Sequence, residues 1–271
     1  MKLRAAILGL IALLGADATF AQSDGLRRLT DRDDLLGWEA VGRLDTAQGG
    51  FCTATLIAAN QVLTAAHCVY DNGRLRNASE LTFRAGLRDG VAIAERSVAA
   101  IAVPGGYDPR SGMALENVAN DVALLQLSQP ITTADANPFV LHQGSVRGTR
   151  ISVTSYGQGR AEAPSRQRAC TIVAESEPIM AFDCNVTFGS SGAPVFVMHG
   201  DRGRIVSVIS GGGTVGGKRA SFGMVLPEIV EALKSDLRRK GVPSGTATIR
   251  RLGTGSGRST SGAKFVRPIG S

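Results

Sequence analysis

Residues 61–68 read Gln61-Val62-Leu63-Thr64-Ala65-Ala66-His67-Cys68, an apolar run that ends in a histidine and a cysteine. Runs of this kind, with branched and alternating side chains, predict a short β-strand. A histidine at the end of a strand is usually structural when nothing else is known of it. By itself the stretch therefore predicts a β-strand, and the segments around it are needed to predict the fold and the function.

Short runs with the same branched or alternating apolar side chains recur on both sides of this stretch, separated by turn residues such as Asp71-Asn72-Gly73. Many short strands at regular spacing predict an all-β sandwich or barrel. One helix is predicted over 227–240, because its apolar residues recur at helical spacing between Pro227 and Gly241. The candidate strands cover 40–44, 54–57, 61–65, 80–84, 92–101, 122–127, 150–156, 171–174, 193–197, 205–210 and 221–225.

The two ends of the chain differ in composition from its body. Residues 1–21 carry two basic residues, then an apolar run over 5–16, then small residues, which is the layout of a signal peptide cleaved after Ala21. A secreted or periplasmic location is therefore predicted. Residues 22–37 are polar and predict an N-terminal arm, and residues 244–271 form a Gly/Ser-rich tail typical of a flexible segment.

The net charge of +7 is concentrated at these ends. Residues 1–21 contribute +1 and the tail holds five basic residues and no acidic one, which leaves +1 for residues 22–243. A nearly neutral body argues against a nucleic-acid partner, whereas the basic tail is predicted to contact an anionic surface. The 43% share of hydrophobic residues excludes a disordered chain, and the single long apolar run excludes a multi-pass membrane protein.

Four cysteines become disulfide candidates in an exported chain and allow three pairings. Sequence position favours Cys52 with Cys68, which flank one candidate hairpin, and Cys170 with Cys184, which flank another. With these cysteines assigned and only 3 histidines present, no metal site and no cofactor is predicted.

Two further polar residues lie beside apolar runs. Asp121 opens the run 122–127, and Ser191 stands in Gly189-Ser190-Ser191-Gly192, where small neighbours permit a tight turn. A serine hydroxyl is a weak nucleophile that needs a base, and the base needs an orienting carboxylate. His67, Asp121 and Ser191 supply these groups in the chain order His, Asp, Ser. They form a candidate catalytic triad.

On the segments 64–68, 120–125 and 189–194, the sequence resembles the chymotrypsin-like (trypsin-fold) serine endopeptidases over roughly residues 38–240. It looks closer to the bacterial branch that includes glutamyl endopeptidases. The resemblance implies two six-stranded antiparallel β-barrels, over 38–130 and 131–226, with the active site in the cleft between them and the helix following the second. It also implies an oxyanion hole and a substrate-binding set. The oxyanion hole is formed by the backbone N–H groups of Gly189 and Ser191, and the substrate-binding residues are Asn185, Ser210, Gly211 and Gly212.

The sequence departs from that family at several positions. Most animal members have an aspartate directly before the nucleophile that pairs with a new N-terminus after zymogen cleavage, but here Ser190 stands there. We therefore expect other groups to hold the oxyanion loop. At the specificity positions, Asn185 offers no charge to attract Lys or Arg. The glutamyl branch has a threonine and a histidine where Val186 and Ile209 stand. The substrate residue before the scissile bond is predicted to be neutral, apolar or small.

These features together predict an exported serine endopeptidase that acts on protein or peptide substrates as a monomer. One alternative is a catalytically silent binding protein on a protease fold, although such proteins usually lose a triad residue. The other is an esterase that uses the same triad, because the acyl-transfer chemistry is shared.

Overall fold

The computed structural model describes residues 25–146 and 148–241. The predicted signal peptide (1–21) and the predicted tail (244–271) lie outside the described residues. Within the described residues, no helix is both long and apolar enough to cross a membrane.

Strands dominate the described chain, with three short to medium α-helices and two 3-10 helices between them. The strands are β1 Arg27–Arg28, β2 Val41–Thr46, β3 Phe51–Ala58, β4 Gln61–Thr64, β5 Tyr70–Asp71, β6 Arg74–Leu75, β7 Leu81–Ala85, β8 Ala94–Ala102, β9 Ala123–Leu127, β10 Ile151–Gly157, β11 Arg160–Cys170, β12 Ile172–Ser176, β13 Ile179–Phe182, β14 Pro194–His199, β15 Arg202–Val208, β16 Gly211–Val215 and β17 Lys218–Met224. The α-helices are α1 Arg32–Leu35, α2 Leu115–Asn120 and α3 Pro227–Arg239, and the 3-10 helices are Ala66–Val69 and Ala78–Glu80.

The first half of the chain forms a closed antiparallel barrel of six strands in the order β2-β3-β4-β9-β8-β7. Strand β7 shows why the sequence folds this way, because its side chains alternate between the interior and the surface. Leu81 and Phe83 are fully buried, whereas Arg84 faces outward and pairs with Asp45 and Glu95. The all-β class and this six-stranded barrel agree with the prediction, and closure removes the exposed sheet edges.

The second half is divided into two sheets. A five-stranded sheet has the order β1-β11-β10-β14-β15, and a four-stranded sheet has the order β12-β13-β17-β16. They meet where the Ser207 hydroxyl donates to the carbonyl of Met224 (2.8 Å) and the Ser210 N–H donates to the carbonyl of Phe222 (2.8 Å). Where the family resemblance implies a second six-stranded barrel, the described residues thus form two sheets that are joined by isolated hydrogen bonds at this seam.

The N-terminal segment differs from the predicted polar arm. Strand β1 pairs with β11 in the five-stranded sheet, so that Arg28 lies opposite Ser165. Leu29 and Leu35 are buried in the core. Charged residues surround these two leucines in the sequence, and the segment therefore shows no apolar periodicity that would mark it as part of the fold.

Helix α3 agrees with the prediction to within one residue and connects the two halves. Its buried face consists of Val230, Leu233 and Leu237, which belong to the same apolar cluster as the first barrel. Just past its end, the Lys240 ammonium group donates to the carbonyl of Ile101 in β8 (3.1 Å). The amphipathic pattern of the helix is therefore satisfied by packing against the barrel that carries His67.

Candidate active site

His67 lies on the 3-10 helix Ala66–Val69, directly after β4. Cys68 in the same turn is bonded to Cys52 of β3, and the second disulfide joins Cys170 to Cys184. Both bridges follow the pairing that sequence position favours. The first bridge ties the turn that carries His67 to the wall of the closed barrel.

Asp121 follows helix α2 and is buried, with 4% of its surface exposed. Its Oδ1 accepts the backbone N–H of His67 (2.9 Å), and its Oδ2 lies 2.8 Å from the His67 Nδ1. The hydroxyl of Ser210 also donates to Oδ2, at 2.6 Å. Because an ionised carboxylate only accepts hydrogen bonds, this geometry assigns the proton to Nδ1 and leaves the Nε2 lone pair free to act as a base.

Two tyrosines line the site near this carboxylate. The rings of Tyr70 and Tyr107 lie 5.3 Å apart. Burial, together with the negative charge of Asp121, raises the pKa of Tyr107 well above its usual range. Burial also raises the pKa of Tyr70.

Ser191 belongs to the second half, and its loop packs directly against the first barrel. The carbonyl of Ser191 accepts the N–H of Thr53 in β3 (2.9 Å). Gly192 has a φ of +75°, and a Cβ there would lie 2.1 Å from the Thr64 hydroxyl oxygen of β4. Because β4 leads into the turn of His67, this close approach brings the Ser191 loop to the strand that directly precedes the candidate base.

The orientation of two peptide groups in this loop is fixed by hydrogen bonds. The carbonyl of Phe188 accepts the N–H of Gln158 (2.7 Å), and the carbonyl of Ser190 accepts the N–H of Ala193 (2.9 Å). In a trans peptide the N–H points opposite to the carbonyl of the preceding residue. These two bonds therefore turn the N–H groups of Gly189 and Ser191 away from Gln158 and Ala193.

The four candidate substrate-binding residues occupy different environments. Asn185 is exposed, and its backbone N–H donates to the Gln167 side chain (2.7 Å). Gly211 and Gly212 lie in β16, which is the edge strand of the four-stranded sheet. An edge strand presents backbone N–H and carbonyl groups to an extended peptide. Ser210 is buried and its hydroxyl binds Asp121, so its side chain belongs to the His–Asp arrangement.

Sequence reasoning missed several residues around this site. A Cβ at Gly211 would lie 2.7 Å from the sulfur of Met113, so this half-exposed methionine packs over Gly211. The Thr53 hydroxyl donates to the carbonyl of Gly189 (2.8 Å). Arg160 donates to the hydroxyl of Ser190 (2.9 Å). In the sequence, the glycine at 211 is the signal that a neighbouring side chain packs against β16 at this position.

Metal-ligand types also cluster within the described residues, in two groups. One is Cys52, His67 and Cys68, and the other is Cys170, Asp183 and Cys184. Each group contains both sulfurs of a disulfide, which are not thiolates and do not ligate a metal as cysteines do.

Comparison with known proteins identifies the family. The family model described as trypsin matches residues 34–227, which is most of the chain. The chain is 28% identical to a glutamyl endopeptidase of Bacillus licheniformis over 156 residues, which are 56% of this chain and 47% of that protein. It is 34% identical to the serine protease SP24D of Anopheles gambiae over 139 residues, which are 48% of this chain and 47% of that protein.

The chain thus spans about half the length of these two relatives. Among solved structures, a Glu endopeptidase in complex with MPD has the same fold, with a TM-score of 0.63. That similarity covers 80% of this chain and 98% of the other at 18% identity. The match of the family model over 34–227, which includes the segments of His67, Asp121 and Ser191, shows that the chain belongs to the trypsin family.

Proposed function

We propose that this protein is an exported serine endopeptidase that hydrolyses peptide bonds through an acyl-enzyme on Ser191. The observation that carries the proposal is the buried carboxylate of Asp121, which binds the Nδ1 and backbone N–H of His67 and the Ser210 hydroxyl. This arrangement fixes the imidazole in the tautomer that a general base requires.

In the proposed reaction, the Ser191 oxygen attacks the scissile carbonyl while Nε2 of His67 takes the hydroxyl proton. The N–H groups of Gly189 and Ser191 stabilise the negative charge that develops on the carbonyl oxygen. His67 then gives its proton to the leaving amine, and the acyl group stays on Ser191. Water attacks this ester with His67 again as the base, which releases the acid and regenerates the serine. Asp121 stabilises the imidazolium in both halves of the reaction.

The substrate would lie along β16 as an additional strand, with backbone hydrogen bonds to Gly211 and Gly212. Uncharged Asn185 and Val186 favour a neutral, apolar or small residue before the scissile bond. The relative from Bacillus licheniformis is named a glutamyl endopeptidase, but Ile209 and Val186 offer no group that would pair with a glutamate. Cleavage of a peptide library dominated by Arg, Lys or Glu at this position would contradict this specificity.

The test of the function is covalent labelling of the nucleophile. A fluorophosphonate probe should label the purified protein and the control variant Ser128→Ala, whose serine is exposed and hydrogen-bonds to Ser97 outside the triad. Ser191→Ala should lose both labelling and turnover of casein. Equal labelling of Ser191→Ala would overturn the proposal. Turnover of esters without turnover of peptides would instead establish the esterase.

Export has its own test. The two disulfides favour an oxidising compartment. Expressed with its natural N-terminus, the protein should be recovered outside the cytoplasm with Gln22 as its first residue. Recovery in the cytoplasm with an uncut N-terminus would contradict export and leave the catalytic proposal standing.

A further inference from the structure

A guanidinium group contacts the buried side of the loop that carries Ser191. Arg160 begins strand β11, and its Nη2 donates to the hydroxyl oxygens of Ser190 and Ser155, at 2.9 Å each. Its Nη1 donates to the carbonyl of Ser155. Ser190 is fully buried, so its contact with the cation lies in the protein interior.

The described hydrogen bonds of Arg160 go to neutral oxygen atoms. Burial lowers the pKa of Arg160 to about 10, which reflects the cost of removing its charge from water. A partly buried cation whose described partners are all neutral departs from the usual pairing of such charges with carboxylates. Departures of this kind are concentrated at functional sites.

The turn at 157–159 is shaped around this guanidinium. A Cβ at Gly157 would lie 2.8 Å from Cζ and Nη2 of Arg160 and 2.7 Å from a methyl carbon of Thr187, so only glycine fits there. The next residue of the turn, Gln158, binds the carbonyl of Phe188 (2.7 Å). One short turn therefore holds the Ser191 loop at two points, through Phe188 and through Ser190.

The hydroxyl of Ser190 is held on several sides. It accepts the backbone N–H of Thr187 (3.2 Å) as well as the Arg160 guanidinium, and it lies 3.2 Å from the carbonyl of Tyr156. Because the guanidinium and the N–H are both donors, the hydroxyl proton is free to be donated to Tyr156. These bonds immobilise Ser190, whose carbonyl begins the peptide that carries the N–H of Ser191.

We propose that Arg160 is a positioning residue that holds the oxyanion loop in its active conformation through Ser190. The cation is part of the chain itself, so the loop is ordered on folding and no cut in the N-terminal segment is required. The described N-terminal segment lies elsewhere, since Arg27 and Arg28 of β1 pair with Arg166 and Ser165. This inference rests on the proposed function, because it assigns a role to a loop in that reaction.

The first test removes the cation and then supplies it from solution. Arg160→Ala should lower kcat on the order of 100-fold, because small misplacements of catalytic groups have effects of that size, while KM changes little. Millimolar guanidinium should restore much of the lost kcat, whereas ammonium at the same concentration should not. Arg160→Lys should recover only part of the activity, since an ammonium lacks the planar fork that reaches two serines.

Arg166→Met provides the matched control. Arg166 lies on the same strand, and burial also lowers its pKa to about 10. Its guanidinium carbon lies 4.0 Å from the centre of the Trp38 ring. Its loss should leave kcat unchanged. An unchanged kcat in Arg160→Ala would overturn the proposal. The proposal would also be overturned if Arg160→Ala has the same melting temperature as Arg166→Met and guanidinium does not restore its kcat.

A second measurement needs no substrate and separates this inference from the proposed function. Amide hydrogen exchange in residues 187–193 should be faster in Arg160→Ala and in Ser190→Ala than in wild type, and unchanged in Arg166→Met. Ser190→Ala, which removes the hydroxyl that Arg160 contacts, replaces Arg160→Ala in this measurement if the arginine variant fails to fold. Unchanged exchange in Ser190→Ala would overturn the inference, whereas turnover by Ser191→Ala equal to wild type would overturn the proposed function and leave only the ordering of the loop by Arg160 standing.

Discussion

At Asp121, one buried carboxylate accepts hydrogen bonds from His67 and Ser210. Asp121→Asn keeps the shape of this side chain but replaces an acceptor with an amide that can donate to Nδ1. The imidazole would then favour the tautomer with its proton on Nε2, where it cannot act as a base. We expect kcat to fall about 10⁴-fold with the fold retained. Steady-state kinetics and circular dichroism check this, and activity within tenfold of wild type would contradict it.

The glycine before Ala193 tests the approach of the Ser191 loop to the barrel. Gly192→Ala places a Cβ within 2.1 Å of the Thr64 hydroxyl oxygen and 2.3 Å of the Thr53 carbonyl, at a φ of +75°. Gly200→Ala has a similar φ of +61° but nothing within 4 Å. The control should lose about 1–2 kcal/mol from its left-handed conformation alone. Gly192→Ala should lose clearly more in denaturant unfolding, and equal losses would show that the close approach is absent.

Helix α3 tests packing at the scale of an element. Leu233 is buried against the apolar cluster of the first barrel, whereas Leu36 is 67% exposed. Leu233→Ala should lower the free energy of unfolding by about 2–5 kcal/mol, because it removes apolar contacts and leaves a cavity. Leu36→Ala should have little effect on thermal or urea unfolding. If Leu233→Ala lowers the free energy of unfolding no more than Leu36→Ala does, the helix contributes little to the stability of the fold.

The elements that the sequence pattern missed share a physical cause. Strand β11 is eleven residues long but mostly polar, and it contains Pro164, a residue that argues against an interior strand. Strand β16 begins with three glycines and has little side-chain pattern to recognise. Strand β1 is two arginines long. Each of these strands forms because a neighbouring strand offers backbone groups to hydrogen-bond with. That neighbouring strand lies outside the segment itself, so the local pattern of residues does not reveal it.

For the whole molecule, the three tyrosines give a prediction on pH. Burial raises the pKa of Tyr70, Tyr107 and Tyr156 above the ordinary value near 10. Above that value the unfolded chain loses phenolic protons that the native protein retains, so stability should decrease as the pH rises further. Native protein at about pH 10 should show little phenolate absorbance, and the denatured chain should show much more. Equal absorbance in the two states would contradict the burial of these rings.

The sequence by itself determined the all-β class, the six strands of the first barrel, the C-terminal helix and the disulfide pairing that position favours. It also singled out His67, Asp121 and Ser191 as candidates, because nucleophile, base and carboxylate are recognisable by residue type and by the apolar runs beside them. These features are local, and each is present in a short stretch of the chain.

Only the tertiary structure decided how these residues are held. Ser210 turned out to bind Asp121, Met113 to cover Gly211, and Arg160 to contact Ser190. In each case the two residues are far apart in sequence, so no local pattern links them. The first two contacts join one half of the chain to the other and the third joins two segments of the second half, so all three depend on packing, which is a property of the folded molecule rather than of any segment.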